Sequence, residues 1–163
     1  MTELTAVYPG TFDPVTNGHL DIIRRGSRIF ANVIVAILRN PEKVPLFTVD
    51  ERVTMVAAAV ADLPNVRADA FEGLLVDYAR RVQGRVIVRG LRAVSDFELE
   101  LQMAMMNRRM NGDVETVFMM PSESYSYVSS RLVREVVMLG GSVEGLVPEE
   151  VGKALASRLR GGR

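Results

Sequence analysis

The 163-residue chain has 48% hydrophobic and 25% charged residues, a balance typical of one folded domain. Twenty Lys and Arg against twenty Asp and Glu give zero net charge, which disfavours sequence-independent binding to long nucleic acids. With no cysteine and one histidine, disulfides and thiolate metal sites are excluded. The first residues lack the features of a signal peptide, and no apolar run approaches about 20 residues, so we expect a cytoplasmic protein without a membrane segment.

Apolar segments alternate with amphipathic segments along the whole chain. The apolar segments predict five strands, at residues 4–8, 33–38, 66–70, 86–89 and 114–119. The amphipathic segments predict helices at about residues 18–30, 48–63, 74–82, 95–110 and 129–139. Thr48 and Ser95 each stand three residues before a glutamate, the spacing of a capping box. A last helix is predicted to begin at Pro148, and residues from about 156 to 163 are expected to form a frayed tail.

This order of strands and helices predicts one domain over residues 1–163, with a Rossmann-like, doubly wound α/β architecture. The five strands would form a parallel sheet with helices on both faces. In such sheets, ligands bind beyond the carboxyl ends of the strands. Four unusual segments follow predicted strands: P-G-T-F-D-P, R-N-P-E-K, R-G-L-R-A and P-S-E-S-Y-S-Y-V-S-S. We therefore expect these segments to meet at one rim of the sheet.

The first rim segment continues into T-N-G-H, which ends on the only histidine of the chain. Gly10 permits a close turn, Thr11 offers a hydroxyl, and Gly18 would let the backbone approach a ligand. His19 stands at a helix start, where free NH groups favour an anion, and protonation would add positive charge. The alternative is a plain turn with a surface histidine. The segment matches neither G-x-G-x-x-G nor G-x-x-x-x-G-K-[ST], which disfavours a dinucleotide dehydrogenase or a P-loop protein.

Three cations lie in other rim segments. Lys43 could reach a phosphate from the second rim loop, or it could be a solvated loop lysine. Arg89 and Arg92 could each bind phosphate oxygens with two hydrogen bonds. The alternative is that they pair with one of the following carboxylates: Asp96, Glu98 or Glu100.

Hydroxyl groups complete the set of candidate ligand-binding groups. Ser126, Ser129 and Ser130 surround a helix start, where they could cap the helix or assist its NH groups in binding a triphosphate. The spacing shows no serine–histidine–acid triad and no carboxylate pair for acid–base work. Cations, hydroxyls and helix N-termini favour phosphoryl or nucleotidyl transfer, in which positioning and charge stabilisation carry most of the catalysis.

The motif T-x-G-H, present as T-N-G-H, is the signature of the nucleotidyltransferase superfamily. Together with N-P-E-K, R-G-L-R, D-F-E-x-E and Y-S-Y-V-S-S in this order, it resembles the bacterial phosphopantetheine adenylyltransferases over about residues 6–155. The resemblance implies reversible transfer of the adenylyl group of ATP to 4′-phosphopantetheine, giving dephospho-coenzyme A and pyrophosphate. The transfer would occur by direct in-line attack, without a covalent enzyme intermediate.

The resemblance also implies roles for particular residues. His19, Lys43 and Arg92 would be catalytic. The implied ATP contacts are Thr11, Phe12, His19, Gly90, Leu91, Arg92, Glu100, Tyr125, Ser126, Tyr127, Val128, Ser129, Ser130 and Arg131. The implied 4′-phosphopantetheine contacts are Thr11, Lys43, Leu75, Arg89, Asn107 and Glu135. The family commonly has serine or threonine where this chain has Arg131, so a side-chain hydroxyl contact would be lost there.

The family uses Mg²⁺, which we expect the phosphates of ATP to hold rather than protein side chains. It forms homohexamers built from two trimers, which gives the methionine-rich segment Q-M-A-M-M-N-R-R-M a role at a subunit interface. Feedback inhibition by coenzyme A is a further expectation. Two alternatives stay open: a related adenylyl- or cytidylyltransferase, for example one acting on nicotinamide mononucleotide, and a nucleotide-binding regulatory module without catalysis.

Overall fold

Five strands and six helices alternate in the computed structural model, which describes residues 3–161 apart from the side chains of Val94 and Ser95. The strands are β1 Thr5–Gly10, β2 Asn32–Leu38, β3 Val66–Phe71, β4 Val86–Gly90 and β5 Glu115–Met119. The helices are α1 Asn17–Ile29, α2 Val49–Ala59, α3 Leu75–Arg81, α4 Val94–Met110, α5 Ser130–Met138 and α6 Glu149–Arg160, with a 3₁₀ turn at Glu123–Tyr125. None of the helices among residues 3–161 is both long enough and apolar enough to cross a membrane.

The strands form one sheet in the order β3-β2-β1-β4-β5, and every neighbouring pair is parallel. The predicted doubly wound sheet is therefore confirmed. The chain moves outward from β1 to β3 on one side and then returns to place β4 on the other side of β1. This reversal puts the carboxyl ends of β1 and β4 side by side, where such sheets bind ligands.

Helices cover both faces of the sheet, as predicted, because successive side chains of a strand point to opposite faces. Tyr8 and Val35 lie in a buried cluster that includes residues of α1, α2, α5 and α6. Val7 and Ile34 lie in a second cluster with Tyr78 of α3. The continuously apolar sequence of β2 follows from this burial on two sides.

Strand β1 runs to Gly10, two residues beyond its predicted end, because the strand accommodates Pro9. β1 pairs with β2 along its whole length, but it pairs with β4 only at Ala6 and Val7. The two strands therefore separate toward their carboxyl ends. A cleft opens at the point where the strand order reverses.

Pro9 fits into this central strand because the NH group it lacks would face the cleft. The NH and C=O groups of one residue point to the same edge of a strand, and alternate residues share an edge. The Thr5 carbonyl accepts a hydrogen bond from the NH of Arg85, which places the odd-numbered residues of β1 toward β4. The Pro9 carbonyl instead accepts a bond from Arg89 Nη1 at 2.9 Å. The proline therefore removes no backbone hydrogen bond between β1 and β2.

Two sequence-based boundaries need correction. α4 begins at Val94 after Ala93, which provides no side-chain cap, so the capping box predicted from Ser95 is wrong, whereas the box at Thr48 is confirmed. The tail predicted from about residue 156 is helical, since α6 continues to Arg160. Leu159 packs against the core, and this contact stabilises the last turn. Residues 162 and 163 of the predicted tail lie outside the described residues.

Candidate functional site

Two adjoining cavities lie at the rim where β1 and β4 separate. We call the first, of about 290 Å³, the histidine cavity, because His19 lines it together with residues of the β1–α1 loop and the start of α5. We call the second, of about 550 Å³, the methionine cavity, because it is lined by Met103, Met106 and Met110 of α4. The cavities share five lining residues: Pro9, Gly10, Thr11, Arg89 and Glu100.

Most of the predicted contact residues line one of these cavities. The predicted ATP contacts that line the histidine cavity are Thr11, Phe12, His19, Gly90, Arg92, Glu100, Tyr125, Val128, Ser129 and Ser130. The predicted 4′-phosphopantetheine contacts that line the methionine cavity are Thr11, Leu75, Arg89 and Asn107. The two predicted sets therefore separate into two adjacent spaces that meet at Thr11 and Arg89.

Other predicted residues lie outside the lining of both cavities: Lys43, Leu91, Ser126, Tyr127, Arg131 and Glu135. Lys43 is exposed on the loop between β2 and α2. Arg131 is paired with Glu135 at 3.1 Å, with 83% of its side chain exposed. The Arg131 side chain therefore points toward solvent and does not take the place of the hydroxyl group that the family commonly has there.

His19 caps helix α1 and faces the histidine cavity at the same time. Thr16 is the N-cap residue, and its backbone NH donates to Nδ1 of His19 at 3.0 Å, while its hydroxyl accepts from the His19 NH at 3.3 Å. Burial, with Arg92 and Arg89 nearby, lowers the pKa of His19 from 6.5 to about 4. The ring is therefore neutral at pH 7, and the positive charge that protonation would add is absent in the ligand-free protein.

Aromatic side chains form the wall of the cavity beside His19. The Phe12 ring lies edge-on to the His19 ring, with centroids 4.9 Å apart, and to the Tyr8 ring at 5.4 Å. A Cβ atom at residue 10 would lie 2.9 Å from Phe12 Cε2, so glycine is needed there to make room for this ring. Burial raises the pKa of Tyr8, which keeps its hydroxyl protonated at neutral pH.

The two rim arginines pair with carboxylates of α4. Arg89 donates from Nε and Nη2 to the Glu100 carboxylate at 2.7 and 2.6 Å. Nε of Arg92 lies 3.4 Å from Oδ2 of Asp96. Burial opposes the charge on Arg89, but the hydrogen bonds to Glu100 outweigh it and raise the arginine pKa. The alternative that these arginines pair with carboxylates is thus confirmed. Both arginines also line the histidine cavity.

The serine hydroxyls are already engaged within the protein. Ser129 is the N-cap residue of α5 and accepts from the NH of Leu132 at 3.1 Å, which confirms the capping alternative for this residue. Ser130 donates to the Pro14 carbonyl at 2.7 Å, and Ser126 donates to the Glu123 carbonyl at 3.0 Å. The side of the cavity formed by α5 therefore offers a capped helix start rather than free hydroxyls.

Sequence reasoning missed two buried charged residues beside this site. Asp13 and Arg52 are only 5% and 2% exposed, and both bind backbone groups of the rim loops. A signal for Arg52 was available, since it precedes the buried residue Val56 at a spacing of four on α2. An arginine on the apolar face of a helix has to satisfy its donors inside the protein.

The chemistry of the donor groups bears on where Mg²⁺ could bind. Residues 3–161 contain no cluster of three or more histidine or carboxylate side chains arranged to hold a metal ion. Asp96 and Glu100, the acidic residues of the histidine cavity, each pair with an arginine. The cavity is thus better suited to phosphate oxygens than to a metal ion held by the protein alone.

Comparisons with known proteins relate most of the chain to one family. Residues 7–136 match the family model described as cytidylyltransferase-like. A phosphopantetheine adenylyltransferase of Clostridium novyi (strain NT) is 52% identical over 154 residues, covering 94% of this chain and 96% of the relative. One from Synechococcus elongatus is 57% identical over 152 residues, covering 93% and 92%. One from Thermodesulfovibrio yellowstonii is 54% identical over 157 residues, covering 96% and 98%.

A solved structure with low sequence identity shares the fold. This Vibrio parahaemolyticus protein, assigned as a nicotinate-nucleotide adenylyltransferase, superposes with a TM-score of 0.75 over 99% of this chain and 98% of the other. The identity is 16%, so the likeness shows a common architecture and not a common substrate.

Proposed function

Because the chain belongs to the phosphopantetheine adenylyltransferase family, we propose that it transfers the adenylyl group of ATP to 4′-phosphopantetheine, with dephospho-coenzyme A and pyrophosphate as products. The observation that carries this proposal is the pair of cavities that meet at Thr11 and Arg89. A transfer between two substrates needs two binding spaces whose reacting groups come together at one point.

We assign ATP to the histidine cavity and 4′-phosphopantetheine to the methionine cavity. Neutral imidazole, two guanidinium groups and the start of α5 suit the phosphates of a nucleotide. The apolar side chains of the methionine cavity, including Leu75 and Met103, suit the aliphatic arm of pantetheine. The buried amide of Asn107 lines the same space and suits an amide group of that arm.

The chemical step follows from the charges at the junction. An oxygen of the acceptor phosphate forms a bond to the α-phosphorus of ATP, the bond to the bridging oxygen breaks in line, and pyrophosphate leaves with that electron pair. The acceptor is already an anion, so no covalent enzyme intermediate is needed. Nε2–H of His19 and the guanidinium of Arg92 stabilise the charge on the transferring and leaving oxygens.

Mg²⁺ and three further residues complete the proposal. The ion, held by the phosphates of ATP, would reduce their negative charge. Lys43 would reach the acceptor phosphate from its exposed loop, and Glu135 would lie near the pantetheine arm. ATP contacts are also proposed for Leu91, Ser126, Tyr127 and the backbone of Arg131.

Assembly, regulation and location are proposed from the same family. The exposed apolar side chains of α4 would be covered in a hexamer built from two trimers. Coenzyme A, which contains the pantetheine arm, would inhibit by occupying the methionine cavity. We propose a cytoplasmic location.

Release of pyrophosphate tests the proposed reaction directly. The protein is incubated with ATP and Mg²⁺, and with either 4′-phosphopantetheine or nicotinamide mononucleotide. We expect release only with 4′-phosphopantetheine, because the methionine cavity offers an apolar wall and not a second nucleotide site. Release only with nicotinamide mononucleotide would assign a different acceptor, and no release with either would favour a regulatory module.

A further inference from the structure

Arg52 of α2 is the most deeply buried charged side chain among residues 3–161, with 2% exposure. Its guanidinium donates to backbone carbonyls from separate segments of the chain. Nη1 donates to Thr11 of the β1–α1 loop at 2.7 Å and to Leu38 at the end of β2 at 3.3 Å. Nε donates to Phe47 and Thr48, before the start of α2, at 3.1 and 3.4 Å.

Asp13 holds the same two loops together through NH groups instead of carbonyls. Its carboxylate accepts from the NH of Leu46 at 2.8 Å and from the NH of Phe47 at 2.9 Å. Asp13 lies in the β1–α1 loop, and residues 46 and 47 end the loop that carries Lys43. The loop between β2 and α2 is therefore fixed to the β1–α1 loop from both sides of its backbone.

Stability alone gives little reason for a charge at this position. Among the described residues, no carboxylate lies within 4.0 Å of the Arg52 guanidinium, although Asp13 is near enough to favour its charge. Burying a charge in this way costs free energy that an apolar side chain of similar size would not. What an apolar side chain cannot do is bind carbonyls of three segments at once.

We propose that Arg52 is a positioning residue for the acceptor phosphate, which sets Thr11 and the loop that carries Lys43 at the mouth of the methionine cavity. Arg52 acts through these two residues without contacting either substrate. The inference rests on the proposed function, because it presupposes an acceptor phosphate at Thr11 and Lys43. Most of the proposed ATP contacts, among them Arg92, Tyr125 and Ser129, lie in segments that Arg52 does not contact, so we expect ATP binding to depend on Arg52 much less than acceptor binding does.

Separate titration of the two substrates tests this proposal. Arg52→Lys keeps the charge but cannot span the three segments. We expect its Kd for 4′-phosphopantetheine, measured by calorimetry, to rise about tenfold or more, the effect of losing about one hydrogen bond to the charged acceptor phosphate. The Kd for ATP should stay within about twofold. Arg24→Lys is the matched control, since Arg24 pairs with Asp62 at 2.6 Å on the surface and neither residue lines a cavity.

Each possible result decides the proposal. Equal weakening of both substrates, or no weakening of either, in folded Arg52→Lys would overturn it. If urea unfolding shows that this variant does not fold, Asp13→Asn takes its place, because an amide oxygen accepts only one of the two loop NH groups well. Asp13→Asn must then show the same selective weakening of 4′-phosphopantetheine binding. Failure of the wild type to release pyrophosphate would contradict the proposed function instead, independently of the variants.

Discussion

The imidazole of His19 carries its proton on Nε2, because Nδ1 accepts the NH of Thr16. Nε2–H can thus donate to a phosphate oxygen without the ring being charged. A neutral donor binds the ground-state phosphates less strongly than a cation would. Its contribution is greater when negative charge shifts onto the oxygen it contacts.

Replacement of His19 should therefore lower kcat more than ATP affinity. For His19→Ala we expect kcat to fall by about 10²–10³-fold, the usual cost of removing one such donor. The KM for ATP should change by less than about fivefold. Steady-state kinetics at saturating 4′-phosphopantetheine measures both constants. A kcat near that of the wild type would rule out this role for His19.

The lowered pKa of His19 also predicts a change of stability with pH. The unfolded chain binds a proton at residue 19 below pH 6.5, whereas the folded protein does so only below about pH 4. Stability due to the neutral ring is therefore complete above pH 6.5 and is lost as the pH falls toward 4, by up to about 1.4 kcal/mol per pH unit.

Urea unfolding of the wild type and His19→Asn between pH 7 and 4 measures this effect. Asparagine does not titrate and retains an oxygen that can accept the Thr16 NH. The free energy of unfolding of the wild type minus that of His19→Asn should decrease as the pH falls through this range. A constant difference between them would show that His19 is not the group responsible.

Helix α4 exposes several large apolar side chains, some of which lie outside both cavities. Met103 and Met106 line the methionine cavity, whereas Leu99 and Met105 are 64% and 65% exposed and line neither cavity. Several large apolar side chains exposed on one helix are typical of a surface that is covered in an assembly. Methionine is common on surfaces that bind partners, because its side chain adapts to them.

A single charge on this exposed surface should weaken the proposed hexamer. We expect sedimentation analysis to give the mass of a hexamer for the wild type and a smaller species for Met105→Glu. Leu139→Glu is the control, since Leu139 is 88% exposed just after α5. A monomeric wild type, or an unchanged mass for Met105→Glu, would contradict the assignment of this surface to the subunit contact.

The sequence was sufficient to predict that P-G-T-F-D-P, R-G-L-R-A and P-S-E-S-Y-S-Y-V-S-S contribute to one site, because in a parallel sheet the carboxyl ends of all strands lie on one side. The fourth segment, R-N-P-E-K, lines neither cavity. The sequence placed His19, Arg89 and Arg92 at this site correctly. It could not predict the lowered pKa of His19, which depends on burial and on two arginines distant in sequence. It also missed Arg52, whose carbonyl partner Thr11 lies 41 residues away in the chain. The spacing of apolar residues identifies the buried face of a helix, but it does not identify the groups that this face contacts.

The short pairing between β1 and β4 divides the sheet into two blocks, one containing β1, β2 and β3 and the other containing β4 and β5. Backbone hydrogen bonds join the two blocks near Ala6 and Val7. At the rim, the Arg89 side chain instead donates a hydrogen bond to the Pro9 carbonyl. A side chain can exchange hydrogen-bond partners, whereas the backbone hydrogen bonds between paired strands are fixed by the sheet. A phosphate that attracts Arg89 would loosen the rim while the backbone seam stays intact. The strand order would thus link the binding of a phosphate to the distance between β1 and β4 at the rim.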